Sequence, residues 1–377
     1  MYVTGRGTRG IGTVLPTVVQ WGRTRPLDGV TVVATRRDGA AEVGAAAERL
    51  ESLLGIRLQV EYRALEGSLN ETLGDDAFDA AIVAVPDHLH FEVAATLLRR
   101  DMHVLVVKPL TPTVAEARAL LELARSRGLH GAVELHKRFD PQNLYARGAI
   151  ARGDLGRPAY AVVTYSQRVE VPATAFRSWA QHTNIFQYLG VHYADLLHFL
   201  TGYLPIRAMA VGTRGVLADR GVDTWDSVLA TIEWRAPMSP HVFVSQLAIG
   251  WIDPNGTSAM SDQRFFVVGS RGRLDLEQKD RGVTLVTDSG GVETPNPHFS
   301  MVLDDANGRP EVQGYGPASI ARFLDDAADI VANRVKASAL LDIRPSFKQA
   351  MVSTAIVEAV NESLSSGGAW RSIDAAS

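Results

Sequence analysis

Gly5-Arg6-Gly7-Thr8-Arg9-Gly10 spells GxGxxG where a short apolar run hands over to a helical pattern. Glycines so spaced allow a tight turn, close approach of backbone to a pyrophosphate, and a helix N-terminus aimed at that charge. About 20 residues further on, an NAD-binding chain ordinarily carries an acid for the ribose hydroxyls. This chain has Thr35-Arg36-Arg37 there, and two guanidiniums beside a hydroxyl suit a 2′-phosphate. The pattern points to NADP(H), with NAD the alternative if the arginines are only a solvated turn. Lys108 closes the apolar run HVLVV (103–107) and is followed by Pro109. A cation in that place either snorkels to solvent or acts on a ligand. His192 and Asp195 stand three apart in GVHYADLLHFL, a spacing that puts both on one side of a helix. A lysine can steady an oxygen and a histidine titrates near neutral pH. Hydride transfer between a nicotinamide and a carbinol carbon calls for both.

These residues need elements to hold them. Up to about residue 135, short β-branched runs (2–4, 30–35, 57–62, 79–85, 103–107 and 131–135) alternate with helical patterns such as 40–54 and 113–128. That is the rhythm of βαβ units, and it predicts a doubly wound parallel sheet of the Rossmann type with about six strands. From residue 157 the runs lengthen and alternate, as in AYAVVTYSQRVEV and HVFVSQLAIGW, which predicts an α+β domain with a large, mostly antiparallel sheet. Two helical patterns follow, at 319–335 and 346–364. We therefore expect a nucleotide-binding domain over 1–137 and a substrate and oligomerisation domain over 138–377, joined by a packed helical connection.

Composition narrows the function. At 377 residues and 46% hydrophobic content the chain can bury two cores. With 38 Lys+Arg against 42 Asp+Glu, it offers no basic field for nucleic acid. It has no cysteine, which excludes disulfides, thiolate nucleophiles and thiolate-bound metals. No apolar run is long enough for a membrane span and the N-terminus lacks a signal core, so the expected location is the cytoplasm. His88 and His90 lack further ligands at metal-binding spacing, and no metal is assigned.

The run 84–141, AVPDHLHFEVAATLLRRDMHVLVVKPLTPTVAEARALLELARSRGLHGAVELHKRFDP, resembles the glucose-fructose oxidoreductase, inositol dehydrogenase and MocA family of NAD(P)-dependent enzymes. The resemblance extends to YLGVHYADLLHFLTG (188–202) and to the helix after RPSF (344–347). It implies that Pro86 and His90 flank the nicotinamide, and that Lys108, next to Pro109, is the active-site lysine of a Glu-Lys-Pro signature, in reach of cofactor as well as substrate. Val107 stands where that signature has glutamate. It further implies that His192 relays or donates the substrate proton, with Asp195 one turn on. Members that oxidise polyols often carry aspartate four residues before this histidine. Here the position is Tyr188, whose phenol is an alternative donor.

For the substrate, Arg138, Asn184, Gln187, Tyr188 and His192 near the domain junction offer groups for hydroxyls or an anion. Trp179, Trp251 and Tyr315 are candidates to stack on a sugar face, or are core. The expected activity is an NADP-dependent dehydrogenase or ketoreductase acting on a sugar, amino sugar, nucleotide sugar or cyclitol. Two alternatives remain open: a redox-neutral epimerase or glycosidase with a retained cofactor, and a cofactor-binding regulator without catalysis. An open sheet face must be covered, so a homo-oligomer, dimer or tetramer, is expected.

Overall fold

A computed structural model describes residues 2–5, 11–288 and 290–374. Gly7 and Gly10 of the glycine motif lie outside the described residues. Helix α1 (Val14–Trp21) is followed by strand β1 (Val30–Ala34), α2 (Gly39–Leu54), β2 (Val60–Ala64) and the short α3 (Leu69–Leu73). Next come β3 (Ala80–Val83), α4 (His90–Arg99), β4 (His103–Val107), α5 (Val114–Ser126) and β5 (Gly131–Glu134). All pairings in this half are parallel, as the βαβ rhythm requires, but the sheet is in two pieces, β1-β2 and β3-β4-β5. Strand β4 is central and Val104, Leu105 and Val106 are fully buried, which is why the sequence reads there as an unbroken apolar run.

The expected first strand at 2–4 is a turn instead. The carbonyl of Tyr2 accepts the amides of Thr13 and Val14, and that of Val3 accepts Leu15, so their acceptors serve the start of α1 rather than a neighbouring strand. Val3 still packs in the apolar cluster that joins the two sheet pieces, with Val30, Ile82, Ile320 and Phe323. Pro16 lies in the first turn of α1, where its missing N–H costs nothing.

Helix α6 (Pro141–Ala151), capped by the Asp140 side chain, leads to the second half. Strand β6 (Pro158–Arg168), helix α7 (Val191–Thr201) and strands β7 (Leu204–Thr213), β8 (Ser227–Arg235), β9 (Val242–Asp253), β10 (Ser261–Gly269) and β11 (Arg273–Glu277) come next. Two hairpins, β12 (Leu285–Thr287) with β13 (Gly291–Glu293) and β14 (Met301–Asp304) with β15 (Pro310–Gln313), precede α8 (Tyr315–Val331). The chain ends in α9 (Ala337–Leu340), α10 (Phe347–Ser365) and β16 (Arg371–Ser372). The large sheet runs β11-β10-β6-β9-β8-β7-β16, and only β6 with β9 is parallel.

One face of that sheet carries Phe243, Trp234, Trp251 and Phe265, all fully buried against α7 and α10. The alternate positions face away, and Tyr160, Val211 and Leu229 are 46%, 48% and 55% exposed. The β14–β15 hairpin reaches back to the first half, where Gln20 of α1 bonds both the carbonyl and the amide of Val312. Among the described residues no helix is long and apolar enough to cross a membrane.

Candidate active site

Lys108 leaves the carboxyl end of β4, where ligands of open parallel sheets bind. Its Nζ donates to the carbonyl of Tyr188 and sits 3.7 Å from the centre of the Tyr188 ring. Burial pushes its pKa down to about 8, opposed by the nearby Glu134 and Asp87 carboxylates. The lysine is thus half-buried and held against the second half of the chain, rather than extended into solvent. The ring of Tyr188 packs among Phe176, Trp179 and Trp251. Trp251 is fully buried and its Nε1 donates to Gln167, so it is core and not a stacking platform.

His90 is 1% exposed and both ring nitrogens are spent on backbone: Nδ1 lies 2.7 Å from the carbonyl of Pro109 and Nε2 3.0 Å from that of Val85. It ties the loop after β3 to the loop after β4, beside Lys108. Pro86 opens the turn Asp87–Leu89 beside it and is half-buried.

Two expected site residues are engaged with each other. Arg138 donates through Nε to Asp195 Oδ2 at 2.8 Å and through Nη2 to Oδ1 at 2.6 Å, with both side chains almost wholly buried. A carboxylate and a guanidinium this deep must neutralise one another, so two groups expected to serve the chemistry and the substrate are engaged with each other. The pair clamps the turn after β5 to α7, the helix that carries His192. Asn184 and Gln187 are likewise engaged within the chain. The Asn184 amide donates to Asn361, whose own amide donates to Gln187 Oε1, and Gln187 Nε2 donates to Asp87 Oδ2 at 2.8 Å. Their amides hold the end of α10 and the Asp87 turn in place.

His192 is 4% exposed and its Nδ1 has no hydrogen-bond partner. Burial, then the nearby lysines Lys108 and Lys137, hold its pKa well below the ordinary histidine value, so it is neutral. Its ring lies 4.7 Å from that of His136. His136 accompanies Glu134, whose carboxylate meets His136 Nδ1 at 2.8 and 3.0 Å. Glu134 is the register partner of Val107. Neither His136 nor Glu134 is singled out by sequence reasoning, although a carboxylate inside the apolar run GAVEL is a signal, since a buried charge requires a partner. Asp87 is also unforeseen: it is 4% exposed, accepts from Thr183 and Gln187 through Oδ2, and leaves Oδ1 without a partner. Lys137 is the last addition. It is buried, donates to Gln263 Oε1 at 2.5 Å, and is pushed down to about 7 chiefly by burial.

A dinucleotide fits the residues present. Gly12 has φ +75°, and a Cβ there would lie 2.6 Å from the nitrogen of Gly5 and the carbonyl oxygen of Val3. Only glycine makes this close turn, directly before the N-terminus of α1. Gly5 also has positive φ, 79°. Thr35, Arg36 and Arg37 are exposed just past the carboxyl end of β1. Arg36 is paired to Asp38 at 3.1 Å and Glu42 at 2.7 Å, while Arg37 makes no ion pair among the described residues.

A split parallel sheet with a glycine turn, followed by a large open sheet whose helix delivers a histidine to a strand-end lysine, defines a two-domain nucleotide-dependent oxidoreductase. The chain belongs to the Gfo/Idh/MocA family: residues 23–135 match its oxidoreductase family, NAD-binding Rossmann fold, and residues 143–275 its C-terminal domain. The chain is similar to the 1,5-anhydro-D-fructose reductase of Ensifer adhaerens, 29% identical over 247 residues, which are 64% of this chain and 68% of that protein. An uncharacterized oxidoreductase of Schizosaccharomyces pombe is 39% identical over 88 residues, 23% of this chain, and the chain spans only 24% of that relative's length. Among solved structures, scyllo-inositol dehydrogenase from Lactobacillus casei with bound NAD(H) and scyllo-inositol aligns over 95% of this chain and 94% of its own, with a TM-score of 0.65 and 15% identity. At that identity the likeness is one of fold.

Proposed function

We propose that the protein is an NADP-dependent oxidoreductase that interconverts an alcohol and a ketone on a carbohydrate-like substrate, a sugar, amino sugar, nucleotide sugar or cyclitol, in the cytoplasm. The observation that carries this reading is Lys108, a lysine of lowered pKa at the strand end, held between Tyr188 and the carboxylates of Glu134 and Asp87. The glycine turn of Gly5 and Gly12 would hold the pyrophosphate, and Pro86 would border the nicotinamide. When bound, that cofactor supplies the hydride acceptor or donor. Lys108 steadies the substrate oxygen through its ammonium, while His192 and Tyr188 border the same space and bind neighbouring hydroxyls. The names of an anhydrofructose reductase and an inositol dehydrogenase among the similar proteins support a polyhydroxylated substrate.

The test is a fluorescence titration with NADPH and NADH, followed by turnover on a panel of sugar and cyclitol alcohols and ketones. Arg36 is neutralised by Asp38 and Glu42, so Arg37 carries the preference for a 2′-phosphate. NADPH should bind at least about tenfold more tightly than NADH, and Arg37→Ala should erase most of that margin, the loss of one charge-assisted contact. Tighter NADH binding by the wild type would overturn the NADP assignment.

The outward sheet face supports a homo-oligomer. Leu229 and Val211 stand side by side on β8 and β7, and Tyr160 and Phe266 pair their rings on the same sheet further along, on β6 and β10; exposed apolar side chains of this kind suit a subunit contact. Leu229→Arg should shift the molecular mass by light scattering to a smaller species, and an unchanged mass would exclude this face as the interface.

A further inference from the structure

We propose that Glu134 and His136 form a carboxylate–imidazole dyad in which His136 Nε2, and not His192, exchanges the proton of the substrate hydroxyl. The inference rests on the oxidoreductase reading above and assigns the proton a carrier within the same site.

The geometry begins with register. Glu134 on β5 stands opposite Val107 on β4, so the carboxylate that the Glu-Lys-Pro signature places before the lysine is supplied from the neighbouring strand. Its side chain is 2% exposed, and the ring of His136 is its only ion-pair partner among the described residues. Both oxygens face Nδ1, at 3.0 and 2.8 Å. An ionised carboxylate only accepts, so Nδ1 carries hydrogen and the lone pair of the neutral ring falls on Nε2, which makes no hydrogen bond among the described residues. The ring is held in place by stacking on Tyr315 at 5.6 Å and by Phe299 at 5.2 Å. It keeps 12% of its side chain exposed at the end of the strand beside Lys108.

His192 is poorly equipped for the same task. No carboxylate pairs with it, its Nδ1 is sealed without a partner, and it faces cationic neighbours. Asp195, the acid one turn on, is consumed by Arg138. In the oxidation direction the substrate O–H bond breaks and its proton forms N–H at His136 Nε2. The carbinol C–H bond breaks with its electron pair, which leaves as hydride to the nicotinamide nucleotide, and the C=O bond forms. The imidazolium so made is stabilised by Glu134 and returns its proton to solvent. The titratable groups around His136 are Glu134 and Lys137 on its own segment, Lys108 at the end of β4, His192 on α7 and Tyr315 on α8, with Tyr2 close to Glu134.

The test uses the whole protein and compares His136→Gln, Glu134→Gln and His192→Gln. His136→Gln should lower kcat by about 10²–10³-fold and abolish the acid limb of the pH profile of kcat/KM for alcohol oxidation. Glu134→Gln, nearly the same size, should keep the limb but move it to lower pH, because the lost carboxylate no longer favours imidazolium. His192→Gln should cost less than His136→Gln and leave the limb in place. A His136→Gln variant within threefold of wild type, limb intact, would overturn the dyad and leave the oxidoreductase reading standing. A readout independent of turnover is the tautomer of His136 from ¹⁵N ring shifts, expected as Nδ1–H in the wild type. If the ring proves to be Nε2–H the dyad is refuted. A wild type that turns over no substrate refutes the oxidoreductase reading instead, and the tautomer still decides the dyad.

Discussion

Replacing Lys108 with methionine is expected to lower kcat by about 10²–10⁴-fold, the range that a positioned acid–base or oxyanion-steadying group supplies. The fold should survive and gain stability. The ammonium occupies a site that pushes its pKa down to about 8, so below that pH the folded state bears the cost of burying a charge that the unfolded chain leaves in water. Methionine keeps the length and removes that cost, so Tm at pH 7 should rise. The same shift predicts the pH dependence of the wild type. Lys108 is charged below about 8 and neutral above it, so if its charge steadies an oxyanion, kcat/KM falls as pH rises through about 8. That alkaline limb should vanish from the residual rate of Lys108→Met. A variant with wild-type kcat would remove Lys108 from the chemistry, whatever its Tm.

Much of the fold was legible because it rests on periodicity. Val104 to Val106 read as a buried parallel strand because both faces of β4 are covered, and α5 was placed because its apolar positions repeat and Gly128 at φ 67° follows its end. The short run at 2–4 misled because three β-branched or aromatic residues satisfy a strand pattern whether or not their carbonyls have strand neighbours. Here the amides at the start of α1 claim them. The site was half-legible. Lys108 and His192 stand out in the sequence because motif and position coincide. Glu134 and His136 were missed because their meaning lies in register: nothing in the linear order says that Glu134 will stand across from Val107. The pairing of Arg138 with Asp195 is hidden for the same reason. Arg138 and Asp195 lie 57 positions apart, and each taken alone is a plausible contact for substrate.

That pair gives the second large effect, on stability. Asp195→Ala leaves the guanidinium of Arg138 almost fully buried beside Gln349 and the face of Phe199, with no carboxylate paired to it among the described residues. Breaking a buried ion pair by deleting one partner costs about 3–5 kcal/mol, which for a chain of this size lowers Tm by roughly 5 °C. Arg138→Met should cost a similar amount, because the Asp195 carboxylate is then stranded. The double variant Arg138→Met/Asp195→Leu should recover most of the loss, since it removes both desolvation penalties and keeps the volume. Asp195→Asn separates this account from a catalytic one. It nearly preserves shape and keeps one acceptor for Arg138, but it loses the countercharge. A structural aspartate therefore predicts a lowered Tm and a kcat that falls only as far as α7 shifts His192 relative to Lys108. A catalytic aspartate predicts the reverse, an unchanged Tm with kcat lost. Measuring Tm and kcat on the same preparation decides between them, and a double variant as unstable as either single one would show that the pair is more than a mutual neutralisation.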